Sequence, residues 1–570
     1  MKIAITSGKG GSGKTLLATN LAKVLSQSQS VHYIDCDVEA PNGHLFIKPT
    51  GIQSQEQTSD CILAADMDKC ILCGKCAKVC YCHAILAGRD NIMVFPELCR
   101  YCAACEVVCK EQALVRGKRD IGKSKQGQQG NITISWAELA TGAGGMTVRL
   151  IDNLTKQAND GIVILDSPPG TSCPVVHTVS SADIVILAAD PTVFGMHDLK
   201  LSVSMCRSLD IDPLIIINRV GIGDIDKLRQ WCKAEKLLVI GELPDDRKIA
   251  ELYSSGELVV NHIPELKELF EQTATRILDH KTTKSEIVRN NTGLYLAEPQ
   301  STMNAAISVD NNGASEIAVL SGKGGSGKTS IAACLSELFH NVAADCDVDA
   351  ADMHLLLKPE VEKCQEFIGG KVMQIDGNKC RPCGDCMYIC QFNAVERTGS
   401  FGYRINESAC EGCGACLELC PTQAIYSRPS VDGRLYLSQT RFGQLSHATL
   451  EPGLENSGKL VTTVRSQAMA IANQGTIIID GSPGTGCPVI ASVGGIRYAV
   501  LVAEPTVSGL HDLKRVYDLC RYFKVPAGII INKADLNEKI VVEIEQYGRD
   551  NGITILGRLD YSDEFNSAQQ

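Results

Sequence analysis

The sequence predicts an α/β protein made of two copies of one domain, each with a mostly parallel sheet that a cysteine-rich insertion interrupts. Three observations carry this prediction. The nonapeptide SGKGGSGKT stands at residues 7–15 and again at 321–329. Runs of C-x2-C-x2-C-x3-C occur at 70–80 and 99–109, and again at 380–390 and 410–420. Short apolar segments ending in Gly, Asp or Asn recur in one order, as in "GIVILDSPPGTSCPVV" (161–176) and "GTIIIDGSPGTGCPVI" (475–490). Such runs, alternating with helical stretches, describe buried parallel strands with functional residues at their carboxyl ends. Recurrence of all three signals in order makes the chain a tandem duplication.

Each copy opens on an apolar strand, "KIAIT" in the first, followed by G-x4-G-K-T. In such a loop Gly8, Gly10, Gly11 and Gly13 let backbone N–H groups approach phosphates, Lys14 reaches the β- and γ-phosphates, and Thr15 binds Mg2+. Gly322, Gly324, Gly325, Gly327, Lys328 and Thr329 repeat the set. The second strands lead into "YIDCDVEAPN" (33–42) and "AADCDVDAAD" (343–352), where Asp37 and Asp347 are placed to orient or activate an attacking water, with Asp35 and Asp345 as alternatives. Asp166 and Asp480 end later apolar strands and are expected to hold the Mg2+ through water. Asn42 is replaced by Asp352, so the two sites are expected to differ. His44 and His354 follow, with a structural hydrogen bond as the expected role.

The insertions take their chemistry from cysteine spacing. The total of 27 is odd, and the chain opens on a strand rather than a charged and apolar leader, which argues against a disulfide framework. Three cysteines two apart with a fourth after three more residues match the bacterial ferredoxin run rather than the paired C-x2-C of zinc sites. The fourth cysteine of each run serves the other cluster. Cys70, Cys73, Cys76 and Cys109 are thus expected to hold one [4Fe–4S] cluster, and Cys99, Cys102, Cys105 and Cys80 its neighbour. In the second copy the sets are Cys380, Cys383, Cys386 and Cys420, and Cys410, Cys413, Cys416 and Cys390. The proline that usually follows the fourth cysteine stands only at Pro421. Of the remaining cysteines, Cys206, Cys232, Cys334 and Cys520 lie in helix-like segments and read as buried small hydrophobes. Cys61, Cys82 and Cys364 flank the insertions and read as incidental.

These signals set the expected domain organisation: a first ATPase domain over 1–60 and 115–280 with a ferredoxin insertion at 61–114, and a second over 315–370 and 426–570 with an insertion at 371–425. Residues 281–314, rich in Asn, Ser, Gly and Thr, read as a linker able to span roughly 30 Å.

The loop K-G-G-x-G-K-T with its extra lysine, the D-x-D segment and the D-S-P-P-G switch resemble the MinD and ParA class of P-loop ATPases, specifically those with an inserted ferredoxin domain, here fused as two subunits. The resemblance implies that Lys9 and Lys323 cross to the opposite half's ATP, so that one chain forms an intramolecular pseudo-dimer, with further oligomerisation left open. It places Asn218 and Asn532 beside adenine. "NKAD" (532–535) also resembles a guanine-reading motif, but the first half has "NRVG", and ATP is the expected nucleotide. Cys173 and Cys487 lie seven residues after the Mg2+-site aspartates. In the nitrogenase iron protein, a relative in this class, a cysteine at this spacing binds a cluster shared across the dimer. An additional bridging cluster here, or a small side chain in a tight loop, are the two readings.

A net charge of −11 without a basic run gives no footprint for nucleic acid, and no stretch of about 18 apolar residues predicts a membrane span. A cytoplasmic location is expected. The function expected is an ATP-dependent iron–sulfur protein that couples ATP hydrolysis to electron delivery to a partner protein, or to maturation of its metal–sulfur cofactor. The alternative is a MinD/ParA-like assembly or positioning ATPase with redox-sensing ferredoxin modules.

Overall fold

The computed structural model describes residues 1–140, 142–158, 161–280, 314–339, 341–399, 402–451, 454, 457–472, 475–562 and 564. The linker expected over 281–314 lies outside them except for Ala314. Each half contains a nine-stranded sheet. In the first the spatial order is Val239–Pro244, Leu214–Val220, Ile184–Ala189, Lys2–Thr6, Ile162–Asp166, Val31–Asp35, Ile132–Leu139, Leu114–Gln129 and Thr50–Ala65. The first seven run parallel and the last two are antiparallel to their neighbours. The second half repeats the order, from Thr554–Leu559 across to Glu360–Ile375. Two parallel-sheet α/β domains are therefore present, as the apolar runs predict.

Alternation along the central strands builds a core on each face. Ile3 and Ile5 join Ile162's neighbour Ile164 and Ile186 on one face, while Ala4, Val163, Leu165 and Leu187 pack on the other. Burial on both faces requires the continuous apolar runs seen in the sequence. The helices Lys14–Leu25 and Lys328–Phe339 start directly from the glycine-rich loops.

The insertions are not attached by short loops. Thr50–Ala65 and Leu114–Gln129 form one long antiparallel ribbon, paired from Thr50 opposite Gln128 to Ala65 opposite Leu114. Its root continues the sheet through pairing of 122–129 with 132–139, and its far part leaves the sheet and carries the cysteine-bearing body. The ladder runs through the expected boundaries at 60/61 and 114/115 because backbone pairing continues until the chain turns at Asp66. Glu360–Ile375 and Ile425–Gln439 form the matching ribbon in the second half.

One expectation fails for an identifiable reason. Cys334 is exposed, whereas Cys206, Cys232 and Cys520 are buried as predicted. Its counterpart Asn20 is covered by the segment that ends in helix Pro264–Asp279, its Oδ1 accepting from the Val260 N–H at 3.1 Å. Among the described residues the second half has no such helix, and Leu338 and Phe339 are exposed with Cys334. His44 stacks on Trp136, with centroids 4.9 Å apart, and its Nδ1 has no hydrogen-bond partner among the described residues.

Candidate functional site

The two phosphate loops lie against each other. A Cβ placed on Gly10 would come within 2.4 Å of the Gly324 Cα, and one on Gly11 within 2.6 Å of the Gly325 Cα, so side chains are excluded on both sides of this contact. Gly13 and Gly327 have φ of 94° and 90°, conformations that L side chains rarely adopt. The loops are tied down from the late strands: Asn218 Nδ2 donates to the Ser12 carbonyl at 2.9 Å, and Asn532 Nδ2 to that of Ser326 at 2.8 Å. Asn218 also lines the cavity beyond the loop.

That cavity, about 400 Å3, is bounded by Gly13, Lys14, Thr15, Asn218, Arg247 and Tyr253 of the first half and by Lys323, Glu504 and Asp512 of the second. Lys323 lies beside Tyr253 within it. A smaller cavity, about 190 Å3, joins Lys328, Thr329, Asp347 and Asp352 to Lys9 from the opposite half. Each early lysine thus lines a cavity together with the other half's phosphate loop. The pairing is unequal. Lys9 forms an ion pair with Asp352, a residue almost fully buried. Burial alone would lower the Lys9 ammonium, but the carboxylates of Asp352, Asp347 and Asp198 outweigh it and raise the pKa. Burial opposes Lys323 likewise, and Tyr253, Asp512, Asp37 and Asp166 raise it. In the first half the place of Asp352 is taken by Asn42, whose Nδ2 donates to Asp512 Oδ2 at 3.3 Å.

The loop lysines are set differently as well. Lys14 Nζ donates to Ser7 Oγ at 3.0 Å, and burial brings its pKa down to about 8 against the pull of Asp166 and Asp37. Lys328 Nζ lies 2.6 Å from Asp480 Oδ1 and 3.4 Å from Asp347 Oδ2. Tyr33, which has alanine as its counterpart, donates to Asp166 Oδ2 at 2.7 Å. Asp166 Oδ1 and Asp480 Oδ2 are buried without a hydrogen-bond partner among the described residues, an arrangement suited to a hydrated Mg2+ beside Thr15 and Thr329. Asp35 accepts the backbone N–H groups of Asp37, Asn42 and Gly43, so it fixes the switch turn and is not available to water. Asp37 is raised by burial to about 6, with Lys323 and Lys14 opposing the shift.

A third cavity, about 410 Å3, lies between the halves and reaches both phosphate loops, Asp37, Asp347, Glu39, Asp349 and the switch loops that end at Cys173 and Cys487. Cys173 and Cys487 begin the helices Cys173–Ser180 and Cys487–Val493. Glu39 reaches the opposite switch, where a Cβ on Gly486 would fall within 2.5 Å of its carboxylate. Burial raises Glu39 to about 7, helped by Asp37 and Asp349, and Asp349 to about 7, helped by Asp347. Neither these carboxylates nor Tyr33 was singled out by sequence reasoning, although "EAPN" and "DAAD" contain two of them.

Within the first insertion, Cys70, Cys73, Cys76 and Cys109 line one cavity of about 80 Å3. Cys80, Cys99, Cys102 and Cys105 line another of about 20 Å3, together with Cys82. The grouping matches the crossed sets of the spacing and four thiols are the donor type a [4Fe–4S] cluster takes, although among the described residues no three or more His, Cys, Asp or Glu side chains stand close enough together to hold a metal ion. Backbone N–H groups of Ala84 and Ala113 donate to Cys80 Sγ (3.2 Å) and Cys109 Sγ (3.3 Å), contacts that would favour a thiolate. In the second insertion, Cys380 and Cys383 lie beside Cys386, and Cys410 and Cys390 beside Cys416. Cys420 belongs to the same apolar cluster, and its Sγ accepts from the Ala424 N–H at 3.3 Å. The insertions touch each other: Cys102, Ala104 and Ala415 are buried together with Cys413, and Arg100 lies 3.4 Å from Glu411. Asp535 of "NKAD" is occupied by Arg247 at 3.0 Å and by the Tyr561 N–H at 2.8 Å.

A family model described as the CobQ/CobB/MinD/ParA nucleotide binding domain matches residues 3–259 and again 317–570. An uncharacterized protein of Methanocaldococcus jannaschii is 34% identical over 228 residues, which is 40% of this chain and 80% of the relative. The iron-sulfur cluster carrier protein of Aquifex aeolicus is 23% identical over 280 residues, 46% of this chain and 62% of the relative. Among solved structures, the septum site-determining protein MinD of Pyrococcus horikoshii complexed with Mg-ADP covers 50% of this chain and 99% of its own, at 17% identity and a TM-score of 0.32. Among the described residues no helix is long and apolar enough to cross a membrane.

Proposed function

Because the chain belongs to the CobQ/CobB/MinD/ParA nucleotide-binding family, with one copy of the domain in each half, we propose that it is an ATP-dependent iron–sulfur protein. Nucleotide binding and hydrolysis between its halves would be coupled to electron delivery to a partner protein or to maturation of that partner's metal–sulfur cofactor. The observation that carries this reading is the central cavity, which joins both phosphate loops, both switch loops, Cys173 and Cys487. The cluster carrier among the relatives supports the maturation branch.

In this mechanism Lys14 and Lys328 neutralise the phosphates of the nucleotide in their own half. Lys9 and Lys323 close each site from across the interface and respond to the γ-phosphate. Thr15 with Asp166, and Thr329 with Asp480, would hold Mg2+, which supplies charge neutralisation at the β- and γ-phosphates. Asp37 and Asp347 orient the attacking water. The thiol sets in the insertions would hold clusters that supply one-electron storage. Glu39 and Asp349 transmit the state of one switch to the opposite loop, and Cys173 and Cys487 bring two thiols to the cavity where a bridging cluster would be held.

The test is anaerobic purification, iron analysis and EPR of reduced protein with and without ATP, for the native chain and for Cys173→Ser/Cys487→Ser. Loss of about four iron atoms and of the ATP response in the variant supports the bridge. Unchanged iron and response return both cysteines to packing roles. ATP turnover that never alters the electrons or iron of a co-purifying protein, combined with redox-dependent localisation, would assign the positioning role instead.

A further inference from the structure

We propose that Cys82 is a fifth thiol of the inner cluster pocket in the first half, able to hold the cluster in place of Cys80. This rests on the iron–sulfur reading above. The two insertions offer an internal comparison, because the turn after the fourth cysteine of their first runs has the same backbone in both. His83 and Asn393 each have φ of 53°, and the Ala84 and Ala394 N–H groups donate to Cys80 Sγ and Cys390 Sγ at 3.2 and 3.4 Å. Within that shared turn the residue at the third position differs: Cys82 in one half, Phe392 in the other.

The difference changes what the pocket contains. Phe392 packs into the apolar contact between the insertions, against Cys102, Ala104 and Ala415. Cys82 lines the small cavity with Cys80, Cys99, Cys102 and Cys105, and its Sγ lies 3.7 Å from that of Cys80. Two sulfurs on one tetrahedral metal ion, each at a bond length of about 2.3 Å, stand close to that far apart. The two thiols therefore reach the same corner of the pocket. Cys61, buried in the adjoining strand, does not line this cavity, so burial near the insertion is not enough to place a thiol there.

Exchange needs no redox partner. The iron–Sγ bond of Cys80 breaks and its thiolate takes up a proton, while Cys82 loses its proton and its Sγ bonds the same iron. The cluster's charge and electron count are unchanged, and the second half has no equivalent exchange because Phe392 supplies no ligand.

The experiment compares the full chain carrying Cys80→Ala, Cys82→Ala, both together, or Cys390→Ala, each purified anaerobically. Beside the about four iron atoms of any bridging cluster, native protein with about 16 iron atoms per chain satisfies the underlying reading, and a native chain without iron would overturn that reading and not merely this one. Cys80→Ala and Cys82→Ala should each keep about 16, whereas the double variant and Cys390→Ala should fall to about 12. The reduced EPR spectrum of Cys80→Ala should also show one cluster signal shifted at constant intensity. Cys390→Ala controls for the fold, since it removes the same ligand from the same turn. A fall of Cys80→Ala to about 12, matching Cys390→Ala, would refute the fifth ligand.

Discussion

Replacing Asp352 with Asn should tighten ATP binding at the second site. Lys9 crosses from the first half and pairs there with Asp352, whose side chain is 1% exposed. ATP entering this site must draw Lys9 away from a buried carboxylate and place its own phosphates beside that charge. The first site has no such competitor, because Asn42 stands in the equivalent place and is turned to Asp512. A hydrogen bond to a charged group contributes about 1.5–3 kcal/mol, so releasing Lys9 should improve affinity about 10–150-fold. Lys9 itself is 23% exposed, so freeing it from Asp352 leaves an ammonium that water can reach. The assay is titration with a fluorescent ATP analogue in a Lys14→Ala background, which silences the first site, with and without Asp352→Asn. The converse change, Asn42→Asp in a Lys328→Ala background, should weaken the first site by a similar factor. Equal or weaker binding by the Asp352→Asn protein would refute this account of the asymmetry.

The crossing lysines give a second test: Lys9→Ala should impair the second site and Lys323→Ala the first, and an effect confined to the lysine's own half would remove the intramolecular sandwich. Hydrolysis at the first site should fall as pH drops through about 6, where Asp37 takes up its proton, and Asp37→Ala should retain ATP while slowing turnover; a pH profile unchanged by the substitution would cancel this role. Glu39 and Asp349 are raised in the folded chain, so the stability each contributes is complete below its unfolded pKa and is lost as pH rises through about 7. The Glu39→Gln/Asp349→Asn protein should therefore melt higher than the native chain at pH 8, with the difference shrinking toward pH 5, and a constant difference would count against the linkage.

What the sequence made legible was local and chemical. The phosphate loops could be recognised because glycine, lysine and threonine serve at fixed offsets, and the thiol sets because cluster ligands come from adjacent turns. The Asn42/Asp352 difference was visible too, but its consequence depends on Lys9, which approaches from more than 300 positions away in the chain. The ribbon was not visible. Its strand Thr50–Ala65 is largely exposed and polar, "TGIQSQEQTSDCILAA", and the alternating face that it does bury begins with Gln57 and Ser59, so no apolar alternation marks it and its pairing is set by the partner strand. Tyr33 looked like one more strand residue until the register placed Asp35 beside Asp166 and brought its hydroxyl to the same carboxylate. Exposure of Cys334 followed from a covering helix that, among the described residues, only the first half has, which periodicity within its own helix cannot reveal.

The ribbon has a mechanical consequence. Its outer part, residues 58–65 paired with 114–120, stands clear of the sheet. At about 3.3 Å per residue that is an arm of roughly 26 Å. A 10° rotation at its root sweeps the tip by roughly 4–5 Å, more than the reach of a hydrogen bond. The two arms are rooted in separate sheets and their tips meet where Cys102 and Cys413 pack together. A small change of angle between the halves is therefore magnified at the point where the inner thiols adjoin, so the distance between Cys102 and Cys413 is geared to the separation of the two phosphate loops.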